Sequence, residues 1–105
     1  MSEILIISND KHKRDLYVQI IIAEKTRESI TDFSIYLSLS IPKAVEFSDR
    51  SRLVVLDSYT CRPSVVRGHR WSKIYVDVAL LNRIFRNEIS KILDIAATFA
   101  EIKFI

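Results

Sequence analysis

KHKRDLYVQIIIAEKTRES, residues 11–29, decides the fold. Leu16, Ile20, Ala23 and Arg27 recur at helical spacing, joined by Tyr17 and Ile21. Leu16, Val18, Ile20 and Ile22 also alternate, which is the pattern of a half-buried strand. Length and the preceding residues favour the helix. Ser8, Asn9 and Asp10 stand just before it, and each offers a side-chain oxygen to the unbonded N–H groups of a first turn. The basic start, Lys11, His12, Lys13 and Arg14, opposes the helix dipole, which favours anions at this end. A bound anion would relieve the conflict, and so would solvent.

Upstream, EILIIS (3–8) is a short apolar run with the length of a buried strand. Downstream, TDFSIYLSLSI (31–41) alternates: Phe33, Ile35, Leu37, Leu39 and Ile41 against Ser34, Ser38 and Ser40. It reads as one strand with a wet face, interrupted by Pro42. AVEF and RLVVLDS then flank Ser48-Asp49-Arg50-Ser51, a four-residue hairpin loop around a type I turn. Residues 59–72 form a loop punctuated by Pro63 and Gly68. KIYVDVA (73–79) is a strand, residues from 80 or 82 to about 98 a helix, and AEIKFI (100–105) a last strand. The expected fold class is α/β, a mostly parallel sheet with an added β-hairpin and a long C-terminal helix. If 11–29 were strand, the alternative would be α+β, an antiparallel meander covered by one helix.

The 105 residues make one domain, 1–105, and 49% hydrophobic content supplies a core. No apolar run reaches the length of a membrane span, and MSEILIISND lacks the basic start and small-residue site of a signal peptide. A cytoplasmic location is expected, the host cytoplasm for a viral protein, with no membrane partner. Cys61 is the only cysteine, which fits a reducing compartment, and with His12 and His69 as the only histidines it excludes a zinc site built on several cysteines. Gly68 is the only glycine. Phosphate-cradling and dinucleotide-binding loops need two or three, because only glycine lets backbone N–H groups approach phosphate so closely. Any nucleotide on this chain would have its phosphates held by something else.

The net charge of +3 permits an acidic partner without demanding one. Cations gather at Lys11, Lys13 and Arg14, and again at Arg67, Arg70 and Lys73, where Trp71 could stack on a base. Trp71 could equally anchor its loop on the core. Asp77 ends an apolar strand, where α/β folds bind ligands and where phosphoryl-transfer enzymes hold magnesium. It could also cap the next helix or pair with a nearby arginine. Asp57 ends LVVLD in the same way, but a phospho-acceptor site also needs an acidic pair after the first strand, and only Asp10 is there. Cys61 beside Arg62 could carry a lowered pKa. No nucleophile–base pair can be assembled around either histidine.

In order along the chain, VEFSDRSRLVVLDS and VVRGHRWSKIYVDVA resemble the ATPase domain of phage large terminase subunits, the DNA-packaging motors. That family has a hairpin, an R-G loop, and then an apolar strand ending in Asp-Glu. ILIISNDKHKRD is similar to the strand and helix after the nucleotide loop, and AEIKFI to the strand leading into the motif that senses hydrolysis. The resemblance implies a magnesium role for Asp77 and a phosphate-near role for Arg67. The departures are equally specific. The phosphate loop is absent, Val78 stands at the place of the water-activating Glu, and Arg50 at the place of the hairpin glycine.

The sequence therefore implies a non-catalytic, nucleic-acid-associated module resembling a truncated ATPase core. DNA or another nucleic acid would be met by Lys11, Lys13, Arg14, Arg67, Arg70, Trp71 and Lys73. It implies no catalytic residues and no cofactor of its own, with magnesium entering at Asp77 only beside a nucleotide held by a partner. The alternative is a small protein-interaction or regulatory module, with a protein partner or self-association in place of nucleic acid.

Overall fold

The computed structural model of the chain describes residues 3–28, 33–38, 41–57, 61, 70–81, 90–91, 93–94 and 100–105. Within 11–29 the chain is helical, not a strand: α1 spans Lys11–Arg27. The strands are β1 (Glu3–Ile7), β2 (Phe33–Ser38), β3 (Ile41–Phe47), β4 (Arg52–Leu56), β5 (Trp71–Val76) and β6 (Glu101–Phe104). They form one sheet in the order β2-β3-β4-β1-β5-β6. The pairings β4–β1, β1–β5 and β5–β6 are parallel, and β2–β3 and β3–β4 antiparallel. This is the expected α/β sheet with a hairpin extension, and the α+β meander is excluded because α1 carries the chain away from β1.

The strand read over 31–41 is in fact parts of two. The chain reverses between Ser38 and Ile41, which pair with each other. Ala44 pairs with Tyr36 and Pro42 with Leu37, so Lys43 is an extra residue that bulges the ladder. Pro42 belongs to β3 rather than ending a strand. It lies outside the Ala44–Glu46 segment that pairs with β4, so its missing N–H leaves no gap in that ladder.

The β3–β4 loop is Ser48–Ser51, the four residues expected. Phe47 N–H donates to the Ser51 carbonyl at 3.0 Å and Arg50 N–H to the Phe47 carbonyl at 3.0 Å. The Arg50 bond closes a turn over Phe47–Arg50, and Arg50 takes a φ of 69°. That is the left-handed position where a hairpin of this kind favours glycine.

The sheet is covered on both faces, as a parallel sheet requires. Ile4 and Ile6 of β1 meet Val18 and Ile21 of α1, with Val45, Phe47, Leu53, Val55 and Tyr75. Leu5 and Ile7 point the other way, into Leu56, Cys61, Trp71, Ile74, Val76 and Leu80, against which Leu93 and Ile102 also pack. The side of α1 that faces the sheet is Arg14, Val18 and Ile21. Of the stripe expected from sequence, Ile21 is buried and Tyr17 packs against the core, but Leu16 is 57% exposed and Ile20 37%. Residues 11–29 carry apolar side chains on several faces, so spacing alone did not say which one turns inward.

β5 starts earlier and ends earlier than read from the sequence. Asp77 follows it and caps a single 3-10 turn, Val78–Leu80. Ser90, Lys91, Leu93 and Asp94 are helical, within the helix expected to about 98, most of which lies outside the described residues, as does most of the 59–72 loop. The expected strand 100–105 is β6.

Candidate functional site

The parallel strands bring Ser8, Asp57 and Asp77 to one edge of the sheet, because each follows the carboxyl end of β1, β4 or β5. Ser8 N–H donates to the Leu56 carbonyl at 3.0 Å and Asp77 N–H to the Ile7 carbonyl at 2.9 Å, so the three strand ends lie in register. The same edge holds the amino end of α1. Asp10 caps it, its Oδ1 accepting from His12 N–H at 2.9 Å and Lys13 N–H at 3.4 Å.

Asp77 is 2% exposed and fully engaged. Its Oδ2 accepts from the Ser8 hydroxyl at 2.7 Å. Its Oδ1 accepts from the Lys13 ammonium at 2.9 Å and from Ala79 N–H at 2.9 Å. The Ser8 Oγ also accepts from Asp10 N–H at 3.0 Å, which joins the helix cap to the strand end. Lys13 donates a second bond, to the Ile105 carbonyl at 3.2 Å. One ammonium thus ties the first turn of α1 to the ends of β5 and β6.

Burial alone would push the Asp77 carboxyl up, but the bonds from Lys13, Ala79 and Ser8 together outweigh it and hold the group below the ordinary carboxylate range. Lys13 is raised in turn, chiefly by its bond to Asp77. The pair is ionised at neutral pH. The basic first turn of α1 also gains a physical reason: the anions that offset its conflict with the helix dipole are Asp10 and Asp77, from the chain itself.

This arrangement does not fit a magnesium ion. A hard divalent cation needs carboxylate oxygens free to turn toward it. Here Oδ1 already accepts two bonds, one of them from the Lys13 ammonium, and Oδ2 accepts one from Ser8, so a cation at this carboxylate would have to displace Lys13. Among the described residues no group of three or more His, Cys, Asp or Glu side chains gathers. Val78 follows Asp77 and is 52% exposed, with no proton-accepting atom in its side chain.

Among the described residues, the cations expected to meet nucleic acid do not form one patch. Lys11 is exposed at the carboxyl edge. Lys13 is spent on Asp77. Arg14 is 7% exposed, and its guanidinium donates to the Ser8 carbonyl at 2.9 Å. It braces the turn from β1 into α1, and its buried Nε has no partner. Arg70 is exposed just before β5, and Lys73, half-buried, lies within it. They belong to the amino edge, while Lys11 lies beyond the carboxyl edge, and the six residues of β5 separate the two edges. Arg67 lies outside the described residues.

Of the two readings of Trp71, the structure has the one that anchors it on the core. It is 2% exposed, packed with Leu5, Ile7 and Ile74, so its ring has no face to offer a base. Simple alternation would put Trp71 beside Lys73 and Tyr75. A bulge prevents this: Glu3 pairs with Trp71 but Ile4 with Lys73, leaving Ser72 as an extra residue. Ser72 Oγ bonds the Glu3 carbonyl at 3.0 Å, and the indole turns to the opposite face. The Cys61 thiol is not lowered. Burial, with the Asp57 charge adding to it, pushes the thiol up to about 12, so Cys61 is an inert core residue.

Sequence reasoning missed Ser8 as a partner of Asp77, reading it only as a cap residue. It also missed Lys13 as an internal counter-ion. The signal was present in the misplaced positive charge at the start of α1.

No protein-family model and no curated protein matches the chain. Solved structures do. The large terminase ATPase domain of Thermus phage P74-26 aligns with a TM-score of 0.51 at 16% identity, and a point mutant of that domain with 0.51 at 15%. The alignment covers 98% of this chain but 47% of those chains, so the chain spans about half the length of the domains it matches. At this identity the likeness is one of fold: the chain has a sheet and helix arrangement similar to part of a phage terminase ATPase domain.

Proposed function

We propose that the chain is a non-catalytic, nucleic-acid-associated module built on part of a packaging-type ATPase fold. The observation that carries the first half is Lys13 on Asp77. Where the resemblance implies a magnesium ligand, this chain has an ion pair closed by its own lysine, followed by Val78. Such a centre neither binds the metal nor activates water. Nucleic-acid association is supported by the net charge of +3, by exposed Lys11 and Arg70, by half-buried Lys73, and by the fold's likeness to a terminase ATPase domain. Arg67 belongs to the same basic segment as Arg70. Arg14 and Trp71 drop out of the interface, and Lys13 takes no part while it pairs with Asp77.

The test measures binding of single- and double-stranded DNA and of RNA across a salt series, together with ATP turnover in magnesium. With few phosphate contacts, the logarithm of the binding constant should fall against that of salt with a slope of about −2 to −3. Lys11→Ala or Arg70→Ala should each flatten it by about one. Binding curves flat at low salt for all three nucleic acids would remove the nucleic-acid role. Magnesium-dependent turnover lost in Asp77→Ala would remove the non-catalytic one.

A further inference from the structure

Among the described residues β6 is an outermost strand of the sheet, and its far edge has no partner strand. Ile105 N–H donates to the Val76 carbonyl at 2.9 Å, and the Ile105 carbonyl accepts from Val78 N–H at 2.9 Å. Alternation along the strand then turns the N–H and C=O groups of Glu101 and Lys103 toward β5, and those of Ile102 and Phe104 outward. The outer strand is also apolar where it need not be. Phe104 is 56% exposed, on the face shared with Val76 and Ile102. Glu101 and Lys103 occupy the other face, 3.9 Å apart, with Lys103 Nζ 6.0 Å from the Tyr75 ring centre.

We infer that β6 pairs antiparallel with β6 of a second copy of this chain about a twofold axis at Ile102, so that one sheet runs through both copies. The sequence of the edge selects this register. Only outward-facing residues can bond across it, so Ile102 meets the second copy's Ile102, and Phe104 meets the second copy's Ala100. Glu101 then lies opposite the second copy's Lys103, and Lys103 opposite its Glu101. Both are non-hydrogen-bonded pairs, where side chains approach most closely. A shift that put Ile102 opposite Phe104 would set Lys103 against Lys103, which like-charge repulsion disfavours. On the opposite face the two Phe104 rings and two Ile102 side chains form one apolar strip, with each ring over a small Ala100. An exposed edge of this kind is a template for pairing, and here charge and size are both self-complementary.

The inference stands apart from the nucleic-acid reading, since it uses none of the cations named there. Its test is the mass of the intact protein by sedimentation or light scattering over a concentration series. A dimer should form as concentration rises. Glu101→Lys sets like charges together twice and should weaken the dimer about tenfold to hundredfold. The double variant E101K/K103E exchanges the charges and should restore the original affinity. Ile102→Pro deletes an outward N–H that β5 does not use, and should give a folded monomer with an unchanged far-ultraviolet circular dichroism spectrum. A wild-type protein that stays monomeric, or a dimer that Glu101→Lys and Ile102→Pro leave intact, would overturn the inference.

Discussion

Lys13 of α1 and Asp77 at the end of β5 meet at 2.9 Å across sixty-four residues of sequence. Asp77 is buried, while the Lys13 side chain keeps 29% of its surface in solvent. The carboxylate therefore depends on the pair more than the ammonium does. Asp77→Ala leaves the Ser8 hydroxyl, the Ala79 N–H and the Lys13 ammonium without their acceptor, and should cost about 1–3 kcal/mol in urea denaturation. Lys13→Met should lower the midpoint too, and the double variant should lose less than the sum of the two. Additive losses would mean that the pair is not coupled. The pH dependence has a definite sign. The depressed Asp77 carboxyl contributes stability at neutral pH that disappears as pH falls through the acid range, and Asp77→Ala should flatten that limb.

Asp49 gives a second, separable acid transition. The Ser51 hydroxyl, then the Ser51 N–H, with Lys25 adding to them, hold its carboxyl down to about 2, against a smaller opposing effect of burial. A folded pKa below the unfolded value of 3.8 gives stability that is complete above that pH and is lost as pH falls through about 2. The Asp49 side chain is 33% exposed, so solvent screening reduces the contribution to roughly 1 kcal/mol. Asp49→Asn should lower stability at pH 6 by about that amount and leave it nearly unchanged at pH 2, read from thermal melts. An equal loss at both pH values would show that charge is not the cause.

Trp71 is the only tryptophan, so its fluorescence reports a single site. Emission should be blue-shifted in the folded protein and move to the red on unfolding. Saturating DNA or RNA should leave it unchanged, because the ring packs in the core. Strong quenching by nucleic acid in the folded state would return Trp71 to the interface. Trp71→Ala should cost about 3–5 kcal/mol through the cavity it leaves.

Much of this fold was legible in the sequence. The strands EILIIS, RLVVL and KIYV are short apolar runs whose burial on both faces needs no partner information to anticipate. The caps at Ser8 to Asp10 identified the start of α1, and the Ser48–Ser51 turn chemistry placed the hairpin. Three features needed the tertiary structure. The inward side of α1 is Arg14, Val18 and Ile21 because the sheet lies there, while local spacing fitted Leu16 and Ile20 equally well. The bulge at Ser72, which turns Trp71 into the core, lies against β1, whose Glu3 carbonyl accepts from its hydroxyl. Asp77 could be placed at a strand end from sequence, as a cap, a charge partner or a metal ligand. Only the parallel pairing of β1 with β5 brings Ser8 beside it, and only the path of α1 brings Lys13, so which of those roles it plays was decided by contacts between residues that sequence proximity does not connect.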